Sequence, residues 1–171
     1  MKGTFPQRLD QKFRRQLPIL LTLLLILLDA IPTRLPDFAV VSPLFPLIGI
    51  YYWAIFRPDL LGPVPAFLLG LANDIIAGLP LGVTPLVYLL VHWLTASQRR
   101  FFLGKPFLLA WWGFSVIALG SQVLRWMLVS VIFGKAVDPL VVVVEIIITI
   151  CCYPLVSWAF ARIQLGLMQN A

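Results

Sequence analysis

Apolar side chains run along this chain in six blocks, separated by short polar or Gly- and Pro-containing breaks. Run length predicts helices over about 17–31, 38–56, 60–77, 80–97, 106–133 and 139–163, since crossing a bilayer takes roughly 18–20 apolar residues. The pattern implies an all-α integral membrane bundle over 17–165, flanked by a basic segment at 1–16 and a tail at 166–171. Two boundaries carry their own signals. Asp138-Pro139 supplies an N-cap and a proline at the first helical position of the sixth helix, and Lys105-Pro106 opens the fifth. The second helix is less regular: Pro43 and Pro46 remove two backbone donors within one turn, so it is expected to be broken or to start late. Pro154 should kink the sixth helix and strip the Ile150 carbonyl of its usual donor.

The N-terminal "TFPQRLDQKFRRQ" spaces Phe5, Leu9 and Phe13 at four-residue intervals, with Arg8, Lys12 and Arg15 elsewhere on the wheel. Two readings fit: a short interfacial helix on an anionic leaflet, or a basic tail that only sets topology. The apolar run that follows has no small-residue cleavage site, so an uncleaved first helix is expected rather than a signal peptide.

Composition excludes a soluble domain. The chain has 171 residues, of which 61% are hydrophobic and only 12% charged, too little polar side chain to cover a folded surface. The net charge of +6 invites a nucleic-acid reading, but the basic residues fall between apolar blocks and read as a topology signal. With the N-terminus inside, the cytoplasmic segments hold Lys2, Arg8, Lys12, Arg14, Arg15, Arg57, Arg99, Arg100, Lys105 and Arg162; the outer loops hold only Arg34 and Lys135. Trp53, Trp93, Trp111, Trp112 and Trp158 fall near the same cytoplasmic side, where indole favours the interface. Both termini are therefore expected in the cytoplasm.

Cys151 and Cys152 have no metal-binding spacing and read as two small buried hydrophobes. His92 stands without a carboxylate or cysteine close in sequence and reads as an interfacial side chain. No repeat, nucleophile elbow, P-loop or zinc motif is present, so neither catalysis nor a cofactor is expected.

The informative polar residues lie inside the apolar blocks, where an ionisable group needs a partner or a polar cavity. Counted from the nearest helix end at 1.5 Å per residue, Asp29 lies roughly 5 Å deep, Asp74 roughly 6 Å, Glu145 roughly 9 Å and Arg125 roughly 14 Å. All four fall in the outer half. Arg125 and Glu145 sit on consecutive antiparallel helices at similar depth, which predicts an ion pair, with Asp74 also within reach. The pair could only orient helices, Arg125 could form a ligand or partner pocket, or it could snorkel without a partner.

One stretch carries a family pattern. "PLFPLIGIYYWAIFRPDLLGPVPAFLLGLANDIIAGLPLG", residues 43 to 82, joins a proline-broken helix (Pro43, Pro46) to Tyr52-Trp53, an Arg57-Pro58-Asp59 turn, a Gly-Leu-x-x-Asp helix (Gly70, Asp74) and a turn from Gly78 to Gly82. This order and spacing resembles the MreD family of bacterial rod-shape-determining membrane proteins. The resemblance implies a non-enzymatic scaffold of the cell-elongation complex in the bacterial inner membrane. It implies binding to the bitopic protein MreC and coupling of MreB filaments to a SEDS glycosyltransferase and a class B transpeptidase. It also implies a fold similar to the substrate-binding subunits of energy-coupling-factor transporters, so a vitamin-binding transport subunit is the alternative. That alternative calls for paired small residues as a docking face, for which Gly113 and Gly120 are the loose candidates. For MreC contact, the candidates are the broken second helix and the turn after Asp74.

Overall fold

The computed structural model describes residues 5–30, 43–134 and 138–169, with side chains described over 16–30, 43–134 and 138–165. Six helices follow in order: α1 Phe5–Asp29, α2 Phe45–Phe56, α3 Pro63–Ala77, α4 Val83–Phe102, α5 Phe107–Phe133 and α6 Pro139–Gln169. Arg34 and Lys135 of the outer loops, and Lys2, lie outside the described residues. The N-terminal basic segment is not a separate helix: from Phe5 onward it is continuous with α1, and Pro18 sits inside that helix.

The six apolar blocks form helices of unequal length. Among the described residues, only α5 and α6 are both long and apolar enough to cross a membrane; Gln16–Asp29, α2 and α3 are shorter apolar helices. The 12 residues of α2 rise about 18 Å against a hydrocarbon core of about 30 Å. Such a short helix is tolerated where protein surrounds it. Every residue of α2 from Pro46 to Ile55 is buried, and α2 packs against α1, α4, α5 and α6. It is the centre of the bundle, while α5 and α6 bury only 22% of their most apolar windows and turn most of their surface outward.

The central position of α2 explains where its open backbone groups go. Pro46 starts the helix late, as the two prolines predict, and Leu44 N–H at its entry donates to Thr149 Oγ1 of α6 at 3.0 Å. At the other end, Arg99 Nε of α4 donates to the Ile55 carbonyl at 2.9 Å. Each bond satisfies a helix-end group that has no partner within its own helix. His92 is not interfacial: it is buried, with Nε2 2.8 Å from the Leu61 carbonyl in the α2–α3 connection.

Aromatic rings fill the space between α2, α5 and α6. Tyr153 stacks on Phe114 at 4.4 Å, and Tyr51 meets both rings edge-on. The Tyr51 hydroxyl donates to the Ala110 carbonyl at 2.9 Å, so the ring buries without leaving its polar tip unpaired. Trp53 is 2% exposed, packed beside Tyr52 and Phe160, and is a core residue rather than an interfacial one. Trp93, Trp112 and Trp158 do face outward, with Arg162 over the Trp158 ring. Cys151 is exposed rather than buried, and Cys152 half-buried.

Pro154 lies inside α6, and the carbonyl it orphans is taken by another helix: Trp111 Nε1 of α5 donates to Ile150 O at 3.0 Å. Trp111→Phe keeps an aromatic ring, though a smaller one, and removes this donor. It is expected to lower stability by about 1 kcal/mol, read as a lower melting temperature of the purified protein, whereas Trp112→Phe on the outward face should leave it unchanged.

Candidate functional site

Polar side chains gather at the end of the bundle that holds the α3–α4 turn, the last residues of α1 and α5 and the start of α6. Asp74 is the best defined. It is fully buried, and its carboxylate reaches across the turn to the start of α4. Gly82 N–H donates to Oδ2 at 2.9 Å, and Thr84 N–H to Oδ1 at 3.2 Å. Its own backbone carbonyl accepts from Gly78 N–H and, at 3.0 Å, from Leu79 N–H. One residue thus ends α3 and caps α4. A carboxylate suits this place, because the first N–H groups of a helix lack partners and carry partial positive charge.

The rest of the Gly-Leu-x-x-Asp pattern serves the same joint. Gly70 lies one turn before Asp74, and a Cβ there would stand 2.6 Å from Pro85 Cα and 2.7 Å from Pro85 N. The absence of a side chain lets α3 press directly on the backbone of α4. Gly78 has φ of 66°, the left-handed geometry that closes a helix and that other residues adopt at a cost. Proximity and turn geometry therefore account for Gly70, Asp74 and Gly78 together.

Beyond the turn, α5 and α6 contribute Gln122, Arg125 and Glu145 to one cavity of about 170 Å3, walled also by Leu79, Trp126, Val129 and Val142. Gln122 Nε2 donates to Glu145 Oε2. The Thr149 hydroxyl, one turn along α6, donates to the Glu145 carbonyl at 2.6 Å while accepting from Leu44. Asp29 of α1 lies within electrostatic range of Arg125 and Glu145, and the buried Tyr88 of α4 within range of Arg125, Asp29 and Asp74. The structure thus brings Arg125 and Glu145 to one cavity with Asp29 near, whereas the Asp74 carboxylate is held by the α4 backbone.

The other sequence candidates lie elsewhere. Pro43 and Pro46 set the entry of α2, where the Pro43 carbonyl accepts from Phe45 N–H at 2.7 Å. The Tyr52 hydroxyl donates to Gln164 Oε1 at 3.2 Å, and Trp53 is enclosed. The Arg57-Pro58-Asp59 turn forms an exposed Arg57–Asp59 pair at 3.6 Å, a contact of little energetic weight in solvent. Pro46, Tyr52 and Trp53 are buried with the rest of α2 from Pro46 to Ile55 and shape the core. Gly113 is likewise internal: a Cβ there would lie 2.5 Å from the Phe102 ring, while Gly120 faces open space. Sequence reasoning missed Gln122, because an amide carries no charge to flag it. Its position three residues before Arg125, on the same helical face, was the available signal.

Helices joined through buried polar groups, two of them long and apolar enough to span a bilayer, define a membrane-associated all-α bundle. Within that class the assignment is specific. The family model of the rod shape-determining protein MreD matches residues 10–163, and the chain belongs to this family. Membership gives it a role in rod-shape determination, in a family of structural proteins rather than a known enzyme family. Comparison with curated proteins and with solved structures gives no match, so no solved structure supports the expected likeness to energy-coupling-factor subunits.

Proposed function

We propose that this protein is a non-enzymatic, multi-pass scaffold of the cell-elongation complex in the bacterial inner membrane, with both termini cytoplasmic. It binds MreC directly and, with it, links MreB filaments to the SEDS glycosyltransferase and class B transpeptidase. One observation carries the reading. Four buried or part-buried polar side chains join separate elements: Asp74 to the start of α4, Arg99 to the end of α2, His92 to the α2–α3 connection and Trp111 to α6. Such cross-links give a rigid framework, which is what a positioning protein needs.

The contact for MreC is the α3–α4 turn. Asp74 does not touch the partner but holds the turn that presents Ile75, Ile76 and Leu81, which are 66%, 43% and 69% exposed. In the orientation set by the basic residues this turn faces away from the cytoplasm. Depletion is expected to round the cells, and the purified protein to retain MreC. Leu81→Asp should weaken MreC retention severalfold with no change in melting temperature; retention at the wild-type level would remove the turn from the interface.

A further inference from the structure

The two flanks of the bundle differ in height. The 27 residues of α5 rise about 40 Å, the thickness of the hydrocarbon core plus its two polar interfaces. The 15 residues of α3 rise only about 22 Å. On α4, Arg99 and Arg100 stand in the last turn, and from Arg99 back to Val83 the helix rises about 24 Å. The apolar part of α1, Gln16–Asp29, belongs to a helix that packs on α3 and rises about 21 Å. Each of these falls short of the roughly 30 Å of a hydrocarbon core, and any tilt shortens it further. The α5–α6 cavity gives an independent measure, because Leu79 of the α3–α4 turn lines it beside Gln122, Trp126 and Val129. Those three residues precede Phe133, the end of α5, by about 16, 10 and 6 Å of helix. The turn therefore lies about 10 Å below the outer end of α5.

The composition of the turn fits an apolar setting. Residues 75–83, Ile-Ile-Ala-Gly-Leu-Pro-Leu-Gly-Val, carry no polar side chain, whereas turns in water favour Asn, Asp and Ser. Its donors are also engaged: Gly78 and Leu79 N–H by the Asp74 carbonyl, Gly82 and Thr84 N–H by the Asp74 carboxylate, and Val83 N–H by the Pro80 carbonyl. The acceptors differ. Pro80 has no N–H, and both preceding donors go to Asp74, so the carbonyls of Ile75, Ile76 and Ala77 at the end of α3 receive none of them. Leaving such carbonyls in hydrocarbon costs more than drawing a leaflet down by several ångströms. The less costly arrangement brings headgroups and water down to the turn.

We propose that the outer leaflet dips over the α3–α4 turn, so that α1, α3 and α4 sit in a bilayer about 6 Å thinner than the one around α5 and α6. The partner of this flank is lipid. Its acyl chains meet the exposed Leu24, Phe67, Leu68, Leu86 and Leu90, while Leu81 lies at the level of the headgroups. The inference goes beyond the scaffold reading and requires only that the protein spans a membrane.

The test is the depth of nitroxide labels on the full-length protein in liposomes of dioleoyl phosphatidylcholine, which contain no other protein. Cys151 and Cys152 are replaced by alanine, and single labels are placed at Leu81→Cys or Phe133→Cys, both exposed positions. Depth is read from relative accessibility to oxygen and to a nickel chelate present on both faces of the vesicle. The Leu81 label is expected within about 5 Å of the depth of the Phe133 label, although the turn lies about 10 Å lower in the protein. Ala77→Cys, exposed at the end of α3, should give the same reading even if Leu81→Cys does not fold. A label on the turn about 10 Å deeper than the one at Phe133 would mean a flat bilayer over a submerged turn, and would overturn the proposal. A label shielded from both reagents would mean that a second copy of the chain covers the turn, and would overturn it as well.

Discussion

Gly70→Ala is expected to be among the most damaging single-methyl changes in this protein. The added Cβ meets Pro85 backbone atoms at 2.6 and 2.7 Å and the Thr84 carbonyl carbon at 3.1 Å. No rotamer change relieves a clash with backbone, so α3 and α4 must separate. Overpacking of this kind costs typically 1–3 kcal/mol, and backbone obstruction puts this site at about 3 kcal/mol. The measurement is the melting temperature of the detergent-purified protein beside Gly78→Ala. A Cβ at Gly78 meets nothing within 4 Å, so only left-handed strain of roughly 1–2 kcal/mol applies. If the two variants melt together, close packing is not the reason for a glycine at position 70.

Asp74→Ala is expected to loosen the same joint by a different route. It leaves the N–H groups of Gly82 and Thr84 without their acceptor, and Thr84 is buried. Loss of an N-cap costs about 0.5–2 kcal/mol and an unsatisfied buried donor about 1–3 kcal/mol. These overlap, so the total should be roughly 2–4 kcal/mol. Asp74→Asn keeps an acceptor oxygen and should fall between wild type and alanine. Hydrogen exchange gives the direct readout: the Gly82 and Thr84 amides should exchange faster in Asp74→Ala, while those in the middle of α5 do not. MreC retention should fall together with the turn, without loss of membrane insertion. Unchanged exchange at Gly82 and Thr84 would mean that the carboxylate does not cap α4.

These two residues also show how far sequence reaches. Gly70, Asp74, Gly78 and Gly82 were legible as a unit, because turn chemistry is local: a carboxylate near a helix end and glycines beyond it occur within a few residues of each other. Their spacing was also enough to indicate the family that the match over residues 10–163 shows. That Asp74 caps the next helix, eight and ten residues on, required the two helices to be placed.

Other elements divide in the same way. The chain itself determined the starts of α5 and α6, where Pro106 and Asp138 stand at the N-terminal boundary; Asp138 Oδ1 accepts from Leu140 N–H at 3.0 Å. It determined the late entry of α2 and the orphaned carbonyl of Ile150, since proline's missing N–H is a covalent fact. Only the tertiary structure decided which groups answer: Trp111 for Ile150, Thr149 for Leu44, Arg99 for Ile55. It also decided that α2, read as a full span, is a short buried core helix, and that Trp53 and His92 lie inside. The physical reason is that lipid and protein core are equally apolar. Hydrophobic pattern separates membrane from water, but which apolar face meets lipid and which meets another helix is settled by packing, small residues and the long-range pairing of polar groups.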